Sequence, residues 1–309
     1  MPAETAQPKT KTALPSWKDG PAKQAILDFV ATATTAGQGF IPLADRIATF
    51  DNDGTLWSEQ PLPAQFDFVF RKWGEEVKGD PSLASTQPYK ALVESDMAFF
   101  AGVGTQDPAT IEALLNAFIR SWAGTTPDEF DAEVRAWLAT VKQPKFGVPY
   151  TELVYKPMLE LIEFLTAHDF RVFVCSGGGR DFMRVFAEET WGIYKENIIG
   201  TAAGYRYSDG VIVRAAEGLG GLDLGPGKPE HIFAHTGRLP VFAAGNGDVD
   251  IEMLESAAFA LVINHDDDER EFAYTTGAEK TVELAADHGW TVVSIKDDWS
   301  NVYGSSPAA

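Results

Sequence analysis

Two aspartates, Asp51 and Asp53, stand two positions apart at the end of the apolar run Ile47 to Phe50, with Gly54 and Thr55 directly after them. An apolar run of that length reads as a buried strand. Side chains two apart on a strand share a face, and Gly54 lets the chain turn so that both carboxylates lean over one pocket. In open α/β sheets that carboxyl edge is where ligands bind. Two carboxylates in one pocket repel each other. They persist if a cation sits between them, or if one stays protonated. One can then act as a nucleophile and the other as a general acid and base. The plainer alternative is a capped turn after a strand.

Further groups follow in chain order. A second apolar run, Phe170 to Cys175, ends in Ser176-Gly177-Gly178-Gly179-Arg180-Asp181. A hydroxyl and glycines that open a helix make a phosphate cradle, because glycine N–H groups approach an anion closely and a helix start favours negative charge. Arg180 either reaches a substrate or forms an ion pair. Lys228 lies in Gly225-Pro226-Gly227-Lys228-Pro229-Glu230, just before a helix expected to start at Pro229. A fixed cation there would hold charge on a transferring phosphoryl group and balance a nucleophilic carboxylate. The strand Val241 to Ala244 runs into Gly245-Asn246-Gly247-Asp248-Val249-Asp250, an oxygen-rich end suited to Mg²⁺. Glu59 is a candidate for reading a cationic group on a substrate. His168, His231, His235, His265 and His288 suggest no triad, and nothing completes a metal site around His231 and His235. Asp266 to Glu269 reads as a solvated turn.

These residues need a scaffold. Gly20-Pro21 opens a helix to about Thr35. From about Pro61 to Tyr150 the pattern is helical, with segments Phe66 to Lys78, Tyr89 to Phe100, Pro108 to Trp122 and Pro127 to Val141. Thr126 and Glu129 suit a helix cap. Trp57, Phe66, Phe68, Phe70 and Trp73 read as packing residues. After Tyr150 the main pattern resumes: a helix with Met158, Leu161, Ile162 and Leu165 on one face, then Phe170 to Cys175. Short strands are expected at Ile198-Ile199 and Tyr205 to Val213, the latter holding a hairpin turn at Ser208 to Gly210. Further strands fall at Ala258 to Ile263 and Thr291 to Ile295. Strands that alternate with helices predict an α/β fold with a doubly wound parallel sheet. The expected organisation is a flexible lead over 1–18, a core of 19–57 with 151–309, and a helical cap over 58–150.

The chain has 309 residues, 45% of them hydrophobic, enough for a packed core. Its net charge of −20 argues against nucleic acid and anionic membrane surfaces. A phosphate substrate is still compatible, because a divalent cation inverts the local field. The single cysteine, Cys175, excludes an internal disulfide. No apolar run approaches the ~20 residues of a membrane helix. Met1 to Leu14 has no apolar signal core. A cytoplasmic protein is expected, or a periplasmic or secreted one if a signal was removed.

Asp51-Asn52-Asp53-Gly54-Thr55, Ser176-Gly177-Gly178, Lys228 and Gly245-Asn246-Gly247-Asp248-Val249-Asp250 together resemble, in order, the four motifs of the haloacid dehalogenase superfamily of phosphotransferases. The long helical insert after the first motif resembles the cap of its phosphoserine phosphatase-like branch. The resemblance implies a Rossmann-like core, a helical cap and Mg²⁺-dependent phosphoryl transfer from a small phosphorylated metabolite. Asp51 would attack phosphorus and form an aspartyl-phosphate, and Asp53 would protonate the leaving oxygen and then activate water. Thr55, Ser176, Gly177 and Lys228 would hold phosphoryl oxygens. Mg²⁺ would take Asp51, the Asp53 backbone carbonyl and a side chain among Asn246, Asp248 and Asp250. The family usually has Asp where this chain has Asn246, although Gly-Asn-x-Asp-x-Asp is similar to a bacterial phosphoserine phosphatase-like branch. Competing readings are a dehalogenase, which needs neither Mg²⁺ nor Asp53, and a catalytically weak binding protein that keeps the fold.

Overall fold

The structure is a computed structural model that describes residues 13–219 and 221–304. In chain order, α1 (Pro21–Thr34) leads to β1 (Ile47–Phe50). Five helices follow: α2 (Ala64–Gly79), α3 (Tyr89–Glu94), α4 (Met97–Ala101), α5 (Pro108–Ser121) and α6 (Pro127–Thr140). Then come α7 (Lys156–Ala167), β2 (Arg171–Gly179), α8 (Arg180–Arg184), α9 (Ala187–Trp191), β3 (Ile198–Ser208) and β4 (Val211–Leu219). The chain continues with α10 (Gly227–Thr236), β5 (Phe242–Gly245), α11 (Ile251–Glu255), β6 (Phe259–Asn264), α12 (Glu279–His288), β7 (Thr291–Ser294) and α13 (Ile295–Asp298).

The seven strands form one sheet in the order β4-β3-β2-β1-β5-β6-β7. Every neighbouring pair is parallel except β3 with β4. All four residues of β1 are buried, because both faces of the sheet are covered. Ala48, Phe50, Val172, Val174, Phe242 and Ala244 point into one apolar layer with Ile26 and Val30 of α1 and Leu161 and Leu165 of α7. Ile47, Phe173, Cys175, Ala243 and Val262 point the other way, against Ile232 of α10, Met253 of α11 and Ala285 of α12. The period of two thus divides each strand between two cores, as a doubly wound α/β sheet requires. Central β1 pairs with β2 on one side and β5 on the other. Its carboxyl end is therefore the point where the strand order diverges, the place where such sheets hold ligands.

Several boundaries differ from the sequence reading. The helix expected over Tyr89 to Phe100 is two helices. Ser95 takes a left-handed conformation (φ 56°) and the Asp96 carboxylate caps Phe99 N–H, which starts α4. β2 continues through the glycines to Gly179, so they extend a strand and do not open a helix. β3 is one strand of eleven residues, turned into β4 at Asp209-Gly210, both with positive φ. Of the expected flexible lead, residues 1–12 lie outside the described residues. Residues 13–18 are packed: Leu14 and Trp17 are buried, Ser16 Oγ donates to Glu160 at 2.7 Å, and Trp17 meets Trp299 edge-on. The Asp266 to Glu269 stretch is not a plain solvated turn, since Asp267 is buried and holds Arg270 Nε at 2.5 Å.

The insert between β1 and α7 contains helices and no strand of the sheet. The expected capping box forms, with Thr126 and Glu129 satisfying each other's N–H groups. Phe68 is the hub, packed on Trp122, Phe130, Trp137 and Phe182. Phe182 belongs to α8, so the insert's apolar interior continues into the layer that covers the sheet. Arg214 of β4 adds a polar join: its guanidinium lies over the Phe130 ring at 4.3 Å and its backbone pairs with Gly124 and Thr125.

Candidate active site

Asp51 follows β1 directly, and its N–H is fixed by the Ala244 carbonyl of β5 at 2.9 Å. Its Oδ1 accepts from Lys228 Nζ at 2.5 Å, and the same ammonium reaches Asp250 Oδ1. Lys228 is wholly buried in the first turn of α10, rather than in the loop ahead of it. The approach is tight: a Cβ on Gly227 would stand 2.1 Å from the Leu222 carbonyl oxygen, so only glycine fits before the lysine. Burial works against the lysine charge, but Asp250 and Asp51 outweigh it and hold the ammonium above the usual lysine range. Burial and then the Asp250 charge push the Asp51 carboxyl well up, while Lys228 pulls it down.

Asp53 is half-buried beside the Gly-rich end of β2. Its Oδ1 accepts from Trp57 Nε1 at 2.8 Å, and its Oδ2 lies 3.8 Å from where a Cβ on Gly178 would be. That same position is 3.4 Å from Ser176 Oγ, so the first aspartate pair and Ser176 face one space. Burial, reinforced by the Glu59 charge and opposed by the Trp57 bond, pushes Asp53 up to about 6. A carboxyl with that affinity can give and take a proton near neutrality.

Gly54 has a φ of 77°, and a Cβ there would meet Asn246 Nδ2 at 2.1 Å. The glycine therefore lets the first motif lie directly on the fourth. Asn246 Oδ1 accepts from Thr55 Oγ1 at 3.1 Å, and Asn246 Nδ2 donates to Glu59 Oε1 at 3.0 Å. Asp250 is saturated: besides Lys228, its Oδ2 accepts from the N–H groups of Asn246 and Gly247, each at 3.0 Å. Asp248 is not part of this space. Its Oδ1 accepts from Thr281 N–H and Oγ1 at 2.9 and 3.0 Å and so caps α12. The short helical turn at Asp248–Asp250 sends the two aspartates to different elements.

Two other expectations are revised. The amides of Gly178 and Gly179 have protein partners: they donate to Ser176 Oγ at 3.1 Å and to Gln65 Oε1 at 2.6 Å. Ser176 and Gly177 still line the cavity. Arg180 points elsewhere, to Asp181 at 3.1 Å and the Tyr205 ring at 5.5 Å, in a cluster completed by Arg214. It takes the ion-pair alternative and does not line the cavity.

Sequence reasoning missed a layer behind the first motif. His265, just beyond β6, sets Nε2 2.8 Å from the Gly54 carbonyl and Nδ1 3.2 Å from Glu271 Oε2. Both ring nitrogens thus face acceptors. Glu271 Oε1 also accepts from Ser58 Oγ at 2.6 Å and from Tyr155 OH at 2.9 Å. Burial would raise the Glu271 carboxyl, yet His265, Ser58 and the Phe272 N–H hold it below the usual range. Tyr274 stacks on His265 at 4.4 Å and donates to Glu59 Oε1. No local pattern marks these residues, since their partners lie as far as 215 positions away.

The cavity over these groups measures about 540 Å³ and is lined by Asp51, Asp53, Glu59, Ser176, Asn246 and Asp250 at one end and by apolar residues of the insert elsewhere. Among the described residues no three His, Cys, Asp or Glu side chains form a ready-made metal cage. The donor set still fits Mg²⁺. Mg²⁺ takes one or two carboxylates and keeps several waters. Here Asp51, Asp53 and the Asn246 amide oxygen are hard donors on one cavity. Four carboxylates, those of Asp51, Asp53, Glu59 and Asp250, meet only one ammonium, that of Lys228. Burial first, and then the neighbouring carboxylates, raise Asp51 and Asp53, and a divalent cation relieves the repulsive part.

A model of the haloacid dehalogenase-like hydrolases matches residues 48–255. No curated protein matches the chain. Among solved structures, a protein with unknown function from Bordetella pertussis Tohama I is similar over 81% of this chain and 98% of its own, with 16% identity and a TM-score of 0.52. A conserved functionally unknown protein from Anaerococcus prevotii DSM 20548 is similar over 88% of this chain and 91% of its own, with 12% identity and a TM-score of 0.50. A phosphoserine phosphohydrolase-like protein from Francisella tularensis subsp. tularensis SCHU S4 covers 80% of this chain and 94% of its own, with 15% identity and a TM-score of 0.46. At these identities the likeness concerns the fold alone. No helix among the described residues is long and apolar enough to cross a membrane.

Proposed function

Because the chain belongs to the haloacid dehalogenase-like hydrolase family, we propose that it is a Mg²⁺-dependent phosphatase that hydrolyses a phosphomonoester through Asp51. The observation that carries the reading is the convergence of Asp51, Asp53, Ser176 and Asn246 on one cavity, with Lys228 buried against Asp51. Lys228 fixes the Asp51 carboxylate and supplies permanent positive charge beside the transferring group. An Asp51 oxygen attacks phosphorus and the bond from phosphorus to the leaving oxygen breaks. Asp53 gives its proton to that leaving oxygen. In the second step Asp53 takes a proton from water as the water oxygen attacks phosphorus, which frees Asp51 and releases phosphate. An acid group near pH 6 suits both transfers.

Ser176 and Gly177 hold the phosphoryl oxygens in this scheme, while the buried Thr55 hydroxyl orients the Asn246 amide. Asp51, the Asp53 backbone carbonyl and Asn246 hold the metal, with Asp250 behind them as the anchor of Lys228. When bound, Mg²⁺ supplies charge neutralisation at the phosphoryl oxygens. The helical residues within 58–150 serve as a cap over the core formed by 19–57 and 151–309. Asp53 in the cavity disfavours a dehalogenase, which has no use for a second carboxyl acid. The test is hydrolysis of p-nitrophenyl phosphate with and without Mg²⁺. Turnover should need Mg²⁺ and disappear in Asp51→Asn, with circular dichroism confirming that the variant is folded. Metal-independent turnover, or activity retained in Asp51→Asn, would overturn the reading.

A further inference from the structure

The cavity is far more apolar than a small polar metabolite needs. Beyond the acidic end its wall is built by α2, α4 and α5 of the insert, with Phe66, Val69, Phe100, Leu114, Leu115 and Phe118 facing inward, and it is closed from the sheet side by Leu222 and Leu224. No Lys, Arg or His is among the lining residues. A leaving group that carries a carboxylate would find four acidic side chains and no cation in the wall, and one that carries an ammonium would find Glu59 already accepting from Asn246 and Tyr274. A polyol would set most of its hydroxyls against phenylalanine and leucine, where they lose water, with only a few polar side chains such as Gln65 and Thr276 to pair with. A pocket of this size and lining suits an apolar ligand with a few polar groups at one end.

Resting on the phosphatase reading, the geometry points to a substrate class: phosphomonoesters of uncharged, apolar alcohols. The phosphoryl group sits at Asp51, and an alkyl or aryl chain runs into the space between α2, α4 and α5. Continuity points to the occupant, because the two aspartates and the apolar side chains line one and the same cavity. Half-exposed Met97 stands at the rim of the same space, which leaves longer chains a way out to solvent.

The experiment compares kcat/KM, with Mg²⁺, for ethyl, butyl, hexyl and octyl phosphate with phosphoserine, phosphoethanolamine and glycerol phosphate. Each buried methylene should raise kcat/KM by up to about 4-fold until the wall is filled, placing hexyl phosphate roughly 100-fold or more above phosphoserine. Leu115→Glu should flatten the chain-length series, bringing hexyl phosphate down to within a few-fold of ethyl phosphate. Phe118→Ser is the second variant should the first not fold. As a readout without turnover, octylphosphonate should raise the melting temperature of the unmodified protein more than phosphoserine does. A flat series with phosphoserine or glycerol phosphate preferred overturns this assignment, shows the space to be room for cap closure, and leaves the phosphatase reading standing. Absence of turnover across every phosphomonoester sinks the phosphatase reading and the assignment with it.

Discussion

Lys228 Nζ lies 2.5 Å from Asp51 Oδ1, and neither residue has meaningful contact with water: the lysine is 0% exposed and the aspartate 6%. A buried ammonium persists only where carboxylates repay its desolvation, and the second of these is Asp250. This trio ties the ends of β1 and β5 to the start of α10, so the charge that serves the reaction also holds three elements together.

Removing the cation should therefore cost both stability and activity. In Lys228→Met, Asp51 and Asp250 are left facing each other without a counter-charge. We expect a loss of about 3–5 kcal/mol of unfolding free energy and a fall in kcat of about 100-fold or more. Adding Asp250→Asn to that variant should return part of the stability and none of the activity. Denaturant unfolding and steady-state kinetics on the unmodified protein and the two variants test this, and equal recovery of both would show that the lysine is structural only.

The elements that carry this trio were legible from residue types, but its contacts were not. Asp-x-Asp at the end of a four-residue apolar run marks both the strand and its chemistry. Lys228 reads as a loop cation because nothing local says that α10 begins one residue before it and drives it under the sheet. Choosing between Asp248 and Asp250 needs the position of Thr281, 33 residues on. Arg180 sits beside the Gly-rich stretch in sequence, yet extending β2 through Gly179 turns it towards Asp181 and Tyr205. The hydrophobic periods locate the helices of the insert, and only packing on Phe68 determines how they share a core.

Metal binding should depend on pH with a definite sign. Asp53 is pushed up to about 6 and Asp51 upward as well. Carboxyls raised in the folded state contribute stability at low pH that is lost as pH rises through the folded value. For Asp53 the loss falls between about pH 4 and pH 7 and amounts to roughly 3 kcal/mol. A divalent cation restores it by neutralising the charged forms. The rise in melting temperature on adding Mg²⁺ should accordingly be larger at pH 7.5 than at pH 5. An equal shift at both would place the ion away from these aspartates.

The layer behind the first motif should matter without touching the reaction. His265→Phe leaves the Gly54 carbonyl and Glu271 each short of a partner in a buried setting. The expected cost is about 1–3 kcal/mol of stability and roughly 10-fold in activity or metal affinity through loss of the Gly54 position. Mg²⁺ titration of activity measures the affinity. Unchanged metal affinity together with unchanged kcat would make His265 a core residue and nothing more.

The most direct test concerns Asp51 itself. The protein is quenched in acid during turnover of a phosphomonoester with Mg²⁺, digested, and its peptides are weighed. The account predicts one phosphoryl group on the peptide that carries Asp51, formed fast enough to be on the path and missing in Asp51→Asn. Turnover with that peptide unmodified, or with the phosphoryl group on another residue, would contradict it.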